Sequence, residues 1–209
     1  MTDFLFDGPE NAGVTVLLAH GAGAPMDSPS MTLFATALTE AGMRVARFEF
    51  GYMAARRSGT RRPPPPADRL IPEYAEAISN LGAVEKLIVG GKSMGGRVAS
   101  MAADELFAAG TIKGLLCLGY PFHPPGKPDA LRTAHLEHLE TPCLICQGTR
   151  DPFGTKDEVP GYKLSLKVEV RWFEDGDHDL KPRKKVTGAT ATDYARVAAE
   201  AVAEWSAKL

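Results

Sequence analysis

With 209 residues, 44% of them hydrophobic and 24% charged, the chain has the length of one domain with a substantial core and the composition of an ordinary soluble globular protein. A formal net charge of −2 argues against general nucleic-acid binding, which needs a strongly basic face, so any positive patch must be local. Met1 to Asp7 carries acids where a secretory signal carries bases, and no apolar run approaches the length of a membrane span, so the expectation is a cytoplasmic protein with no membrane partner.

Phe4 to Phe6 reads as a short edge strand, followed by a turn at Gly8-Pro9. Val14 to Ala19 is nearly all apolar, as strands buried on both faces are, and is expected as a central parallel strand. After the loop His20-Gly21-Ala22-Gly23-Ala24-Pro25, Ser28 and Pro29 start a helix with the apolar stripe Met31, Phe34, Ala35 and Leu38, ended by Gly42. Met43 to Phe50 is the next strand. Gly51 to Asp68 then reads as the longest irregular segment, holding Arg56, Arg57, Arg61, Arg62 and the run Pro63 to Pro66. Consecutive prolines favour a stiff polyproline II stretch, here expected to frame a cleft rather than to serve as a ligand for another domain.

Ile71, Tyr74, Ala75, Ile78 and Leu81 mark a helix closed by Gly82. Leu87 to Gly90 is a strand, with a helix from Gly96 onward carrying Val98, Met101 and Ala102. Leu115 to Leu118 is a strand, Gly119 to Gly126 a loop, Ala130 to Leu139 a short helix, Thr141 to Gln147 a strand and Val168 to Phe173 the last one. Tyr194, Val197, Ala198, Ala201, Val202 and Trp205 give the best amphipathic helix. About six strands alternating with helices, without a repeat, predict an α/β fold: a three-layer α/β/α sandwich on a mostly parallel twisted sheet, spanning residues 1–209 as one domain. Functional groups should then lie beyond the carboxyl ends of the strands.

Cys117, Cys143 and Cys146 all sit in apolar strand-like runs, which suits reduced, buried thiols. Cys143 and Cys146 formally match C-x-x-C, yet residues i and i+3 of a strand point to opposite faces, so core packing is the expected role.

Gly91-Lys92-Ser93-Met94-Gly95 reads G-x-S-x-G between a strand and a helix. Such a turn strains its middle residue, and the flanking glycines let neighbouring segments approach. Chance alone gives on the order of 0.1 such matches in a chain this long, so the context must carry the case. A serine hydroxyl needs a base within hydrogen-bond reach, and the base needs an orienting acid. Nucleophile-elbow enzymes place these in the order Ser, Asp or Glu, His, with acid and base on loops after late strands, and Ser93, Asp151 and His178 meet every term. Asp175, Asp177 and Asp179 are rival acids. His20 and His123 lie on other loops, and His135-x-x-His138 lacks a nearby third metal ligand, so no metal site is expected. For the oxyanion, the backbone N–H of Met94 supplies one donor, and the loop at Gly21 to Gly23 the other, with Ala22 chosen and Gly23 as the alternative. Gly23, Arg56, Lys92 and His123 are the candidate substrate-contacting residues.

The segments His20-Gly-Ala-Gly-Ala, Arg47-Phe-Glu-Phe-Gly-Tyr, Gly90-Gly-Lys-Ser-Met-Gly-Gly-Arg, Tyr120-Pro-Phe-His-Pro-Pro-Gly-Lys, Gln147-Gly-Thr-Arg-Asp-Pro-Phe-Gly and Gly176-Asp-His178 together resemble the α/β-hydrolase superfamily over nearly the whole chain. They are similar to small bacterial hydrolases grouped near dienelactone hydrolases, whose eukaryotic relatives include the testis-expressed hydrolase-like proteins and the scaffold-like third subunit of the NSL acetyltransferase complex. The resemblance implies a serine hydrolase without a metal or organic cofactor. The sequence begins close to the first central strand and shows no inserted cap domain, so the usual eight-stranded sheet is expected to be trimmed. Dienelactone hydrolases carry a cysteine where this chain has Ser93, so that particular reaction does not carry over.

The expected function is therefore hydrolysis of a small ester or thioester through an acyl-enzyme, the alternative being a non-catalytic interaction module on the same scaffold. If Arg56, Arg57, Arg61, Arg62, Lys92, Lys181, Arg183, Lys184 and Lys185 converge, the mouth favours anionic substrates; otherwise they are separately solvated side chains.

Overall fold

Alternation of the strand side chains organises the molecule. In the computed structural model, which describes residues 2–209, strand β2 (Thr15–Ala19) sends Leu17 and Ala19 into one hydrophobic cluster and Val16 and Leu18 into another on the opposite face. Period-two alternation in a strand covered on both faces requires this division. The same split recurs in β5 (Gly114–Leu118), with Leu115 and Cys117 on the first face and Leu116 and Leu118 on the second. It recurs in β6 (Cys143–Gly148), where Cys143 and Cys146 fall on opposite sides of the sheet. All three cysteines are free and buried.

The sheet has seven strands in the order β1-β3-β2-β4-β5-β6-β7, where β1 is Phe4–Asp7, β3 Arg44–Phe48, β4 Leu87–Lys92 and β7 Val168–Phe173. Every pairing is parallel except β1 against β3, so the chain has an antiparallel edge on six parallel strands. Helices α1 (Pro29–Glu40) and α6 (Ala191–Ser206), the latter preceded by the single-turn α5 (Lys184–Thr187), pack together on one face, and α3 (Ile71–Leu81) and α4 (Met94–Ala108) cover the other. A capping box between Thr190 and Asp193 starts α6, and Gly82, at φ 78°, ends α3.

Two segments depart from the sequence reading. Gly51–Arg57, expected as irregular, is helix α2, which buries Tyr52 and Met53 and ends in Arg56 and Arg57, cations suited to a helix carboxyl end. The irregular stretch begins only after it, and Pro66 has polyproline-like torsions of φ −52° and ψ 143°. Ala130 to Leu139 is not a helix: only Ala134–Leu136 forms a single 3₁₀ turn. Nearby backbone groups bond elsewhere, Arg132 N–H donating to Phe122 O at 2.8 Å and Leu136 O accepting from Ser165 N–H at 2.8 Å. Among the described residues no helix is long and apolar enough to cross a membrane.

Candidate active site

Strand β4 delivers Ser93 to the carboxyl edge of the sheet, and α4 leaves immediately after it. Ser93 has φ 51° and ψ −114°, a backbone region that costs a non-glycine residue on the order of 1–3 kcal/mol. The surroundings impose it. A Cβ on Gly91 or on Gly95 would stand 2.4 Å from the carbonyl oxygen of Ala19, so α4 and β2 close on each other only because both positions lack side chains. Ser93 N–H donates to Leu118 O at 3.0 Å, fixing the turn to the neighbouring strand.

The two loops after β6 and β7 bring up the other groups. They cross closely: a Cβ on Gly148 would lie 2.3 Å from Gly176 O, and Arg150 N–H donates to that oxygen at 3.1 Å. In consequence His178 Nε2 stands 2.8 Å from Ser93 Oγ, and its Nδ1 stands 2.7 Å from Asp151 Oδ2. Asp151 is fully buried; Gln147 Nε2 donates to its Oδ2 at 2.9 Å and Phe153 N–H to its Oδ1 at 2.9 Å. The Phe153 ring stacks on His178 with centroids 4.2 Å apart. The rival acids have other partners. Asp175 binds Arg183 and Arg150, and the Arg183 hydrogen bonds hold its carboxyl at about 2. Asp177 caps the backbone of Asp179 and Lys181, and Asp179 faces Lys92.

Lys92 does not project into open solvent beside the serine. Its buried ammonium donates to the carbonyl of His178 at 2.7 Å and lies 3.3 Å from Asp179 Oδ1. Burial lowers its pKa, with the Asp179 charge pulling the other way. It thus ties the loop carrying the histidine to the strand carrying the serine. Lys92→Met is expected to lower kcat about tenfold with little change in KM, because the imidazole loses its fixed position and not a contact with substrate. Steady-state kinetics check this, and a change confined to KM would assign Lys92 to binding instead.

The loop after β2 is held by its carbonyls. His20, fully buried, accepts from Phe50 N–H at 3.2 Å through Nε2 and therefore donates from Nδ1 to Gly21 O at 2.6 Å. Burial lowers its pKa and keeps it in this neutral form. Tyr52 Oη donates to Ala22 O at 3.0 Å and Arg56 to Gly23 O at 3.4 Å. In a trans peptide the N–H points opposite to the carbonyl of the same unit, so fixing Gly21 O also fixes the direction of Ala22 N–H. Met94, the first residue of α4, has an N–H without an intrahelical acceptor and lies at the positive end of the helix dipole.

Two cavities meet at Ser93, Ala22 and Phe153. One, of about 330 Å³, runs past Met94 to Pro64, Pro65 and Pro66 on one side and to Arg97 and Arg132 on the other. The second, of about 260 Å³, runs past His178, Gly23 and Met31. The larger hollow of about 710 Å³ by Glu49, Arg57 and Glu73 contains none of these groups.

Of the residues picked from sequence, the structure brings together Ser93, His178, Asp151, Met94, Ala22 and Gly23, while Lys92 and Arg56 stand behind them as supports. His123 lines neither cavity: it is buried behind Phe153, its N–H donating to Phe153 O at 3.1 Å, its Nδ1 2.9 Å from Pro124 O and its Nε2 3.6 Å from Glu158. The basic residues do not converge either. Arg57 pairs with Glu49 and Asp27, Arg183 with Asp175, and Lys181 and Lys184 border a different hollow with Arg150. Sequence reading missed Gln147, Phe153, Tyr52 and the pair Arg97 and Arg132. Only Phe153, two residues from Asp151, carried a positional hint.

Comparisons place this geometry in a family. The chain has the fold of an α/β serine hydrolase homologue from Coxiella burnetii, at 16% identity and TM-score 0.71 over 96% of this chain and 91% of that one. A serine hydrolase without a lid from Xanthomonas campestris is similar at 22% identity and TM-score 0.70, over 98% and 89%. A dienelactone hydrolase from Anabaena variabilis is similar at 20% identity and TM-score 0.69, over 97% and 91%. At these identities the likeness concerns the fold. Residues 12–207 match the family described as alpha/beta hydrolase domain, and the chain belongs to that family.

Proposed function

We propose that the protein is a serine hydrolase of the carboxylesterase or thioesterase type acting on a small ester-type substrate. One observation carries the reading: the unbroken line from Ser93 Oγ through both nitrogens of His178 to buried Asp151, at 2.8 and 2.7 Å. His178 takes the Ser93 proton as Oγ attacks the carbonyl carbon, and Met94 and Ala22 N–H groups receive the developing oxyanion. The tetrahedral species collapses, the leaving group departs with the proton from His178, and the acyl group stays on Oγ. Water, deprotonated by His178, then attacks the acyl carbon, releasing the acid and restoring Ser93. Asp151 keeps the imidazole in the required tautomer and stabilises its cation. Each step uses groups of the chain, in keeping with the resemblance to hydrolases without metal or organic cofactor.

The resemblance to small bacterial hydrolases near the dienelactone group, and the three buried free thiols, suit a cytoplasmic enzyme. A fluorophosphonate probe read by intact mass tests the reading. One adduct is expected on the wild type and none on Ser93→Ala; an unlabelled wild type, or an equal adduct on both, defeats it. A wild type inert toward short and long acyl esters that still captures a partner would favour the scaffold reading suggested by the NSL-subunit resemblance.

A further inference from the structure

The cavity of about 330 Å³ beside Ser93 is lined by two arginines, Arg97 and Arg132, and by no acidic residue. Arg97 lies one turn into α4, its backbone N–H donating to Ser93 O at 3.0 Å, and its Nε is buried without a hydrogen-bond partner. Arg132 reaches the same cavity from the connection between β5 and β6. Burial lowers its pKa first, and the charge of Arg97 lowers it further. Neither arginine forms an ion pair among the described residues; exposed arginines such as Arg61, Arg69 and Arg171 share that state in open solvent, whereas Arg97 and Arg132 are half-buried and line a cavity. Two like charges drawn partly out of water without a counter-ion are unfavourable for the empty protein, and the amino end of α4 adds positive potential to the same space. An oxyanion would supply the missing partner, and a guanidinium fork fits a carboxylate in two-point fashion.

We propose that this cavity is a carboxylate subsite, and that the substrate is a short ester with a free carboxylate at the far end, such as the half-ester of a small dicarboxylic acid. Residues four apart on a helix are separated by about 6 Å of rise, so Arg97 meets a group only a few bonds from a carbonyl held at Ser93. Pro64, Pro65 and Pro66 line the same cavity, and its volume of about 330 Å³ suits a short substrate. This inference rests on Ser93 being the nucleophile.

The test follows hydrolysis of monoethyl glutarate and neutral diethyl glutarate by pH-stat, for wild type, Arg97→Gln, Arg132→Gln and a control on α6 across the sheet, Arg196→Gln, with fluorophosphonate labelling of each. The wild type should prefer the half-ester about tenfold or more in kcat/KM, and each cavity variant should lower that ratio about tenfold, as loss of a hydrogen bond to a charged group does. Arg196→Gln should keep the ratio. If one cavity variant fails to label, the other decides. A wild type that labels but prefers the neutral ester, or a ratio unmoved in labelled Arg97→Gln and Arg132→Gln, overturns the subsite. A wild type that does not label overturns the nucleophile itself, which is a separate failure.

Discussion

Asp151→Asn is expected to lower kcat for ester hydrolysis by about 10⁴-fold while leaving the fold intact. The carboxylate accepts at both oxygens: Oδ2 from His178 and Gln147, and Oδ1 from Phe153 N–H. An asparagine side chain has one acceptor oxygen and one amide nitrogen, so it cannot serve all three donors. With its oxygen toward Phe153, its NH₂ group faces His178 and forces Nδ1 to accept. The ring proton then sits on Nε2, where it faces Ser93 and cannot take the serine proton. With its oxygen toward His178, the amide opposes Phe153 N–H, and the negative charge that stabilises the imidazolium is gone. Steady-state kinetics beside a thermal melt check this; a fall in kcat of less than tenfold in a folded variant would show that Asp151 does not set the state of His178.

Gly95→Ala should reduce kcat/KM about 100-fold or more, with a loss of stability of about 1–3 kcal/mol. The added methyl would lie 2.4 Å from Ala19 O and 2.7 Å from both Ala19 C and His20 O, all backbone atoms that cannot rotate away. Relief requires α4 to back off from the end of β2. That movement separates Met94 N–H, at the start of the helix, from Ala22 N–H, in the loop after the strand. Gly13→Ala provides the comparison, since its nearest neighbour would be Glu85 Oε2 at 3.9 Å. Wild-type kcat/KM in Gly95→Ala would mean that the spacing of these two donors is not set by this contact.

What was legible in the sequence was whatever local pattern decides. Buried parallel strands announce themselves as unbroken apolar runs, as Thr15–Ala19 does, while Val168–Phe173, an alternating edge strand with Glu169 and Arg171 exposed, also matches its expected bounds end to end. The elbow glycines and the order Ser93, Asp151, His178 are local facts about turns and strand ends, and the three side chains do meet. Helix α2 escaped because seven residues starting at glycine, with two buried side chains, form too short a stripe to register. The anchoring of Lys92 was not legible because its burial depends on a loop 86 residues away, a contact that neighbouring residues do not encode. The basic segments failed for a related reason: a run of arginines shows charge, whereas the carboxylates that neutralise it, Glu49, Asp27 and Asp175, are assigned only by tertiary folding. Arg97 and Arg132, which line the cavity beside Ser93 without such a partner, looked no different in sequence from those that found one.

The three thiols offer one more consequence. Cys117, Cys143 and Cys146 all lie within sheet strands, fully buried or nearly so, with burial pushing Cys146 up to about 12 and Cys117 well above its ordinary value. A thiol reagent can therefore capture them only when strands β5 and β6 part. Their alkylation rate becomes a clock for the opening of the central sheet, read without any introduced label.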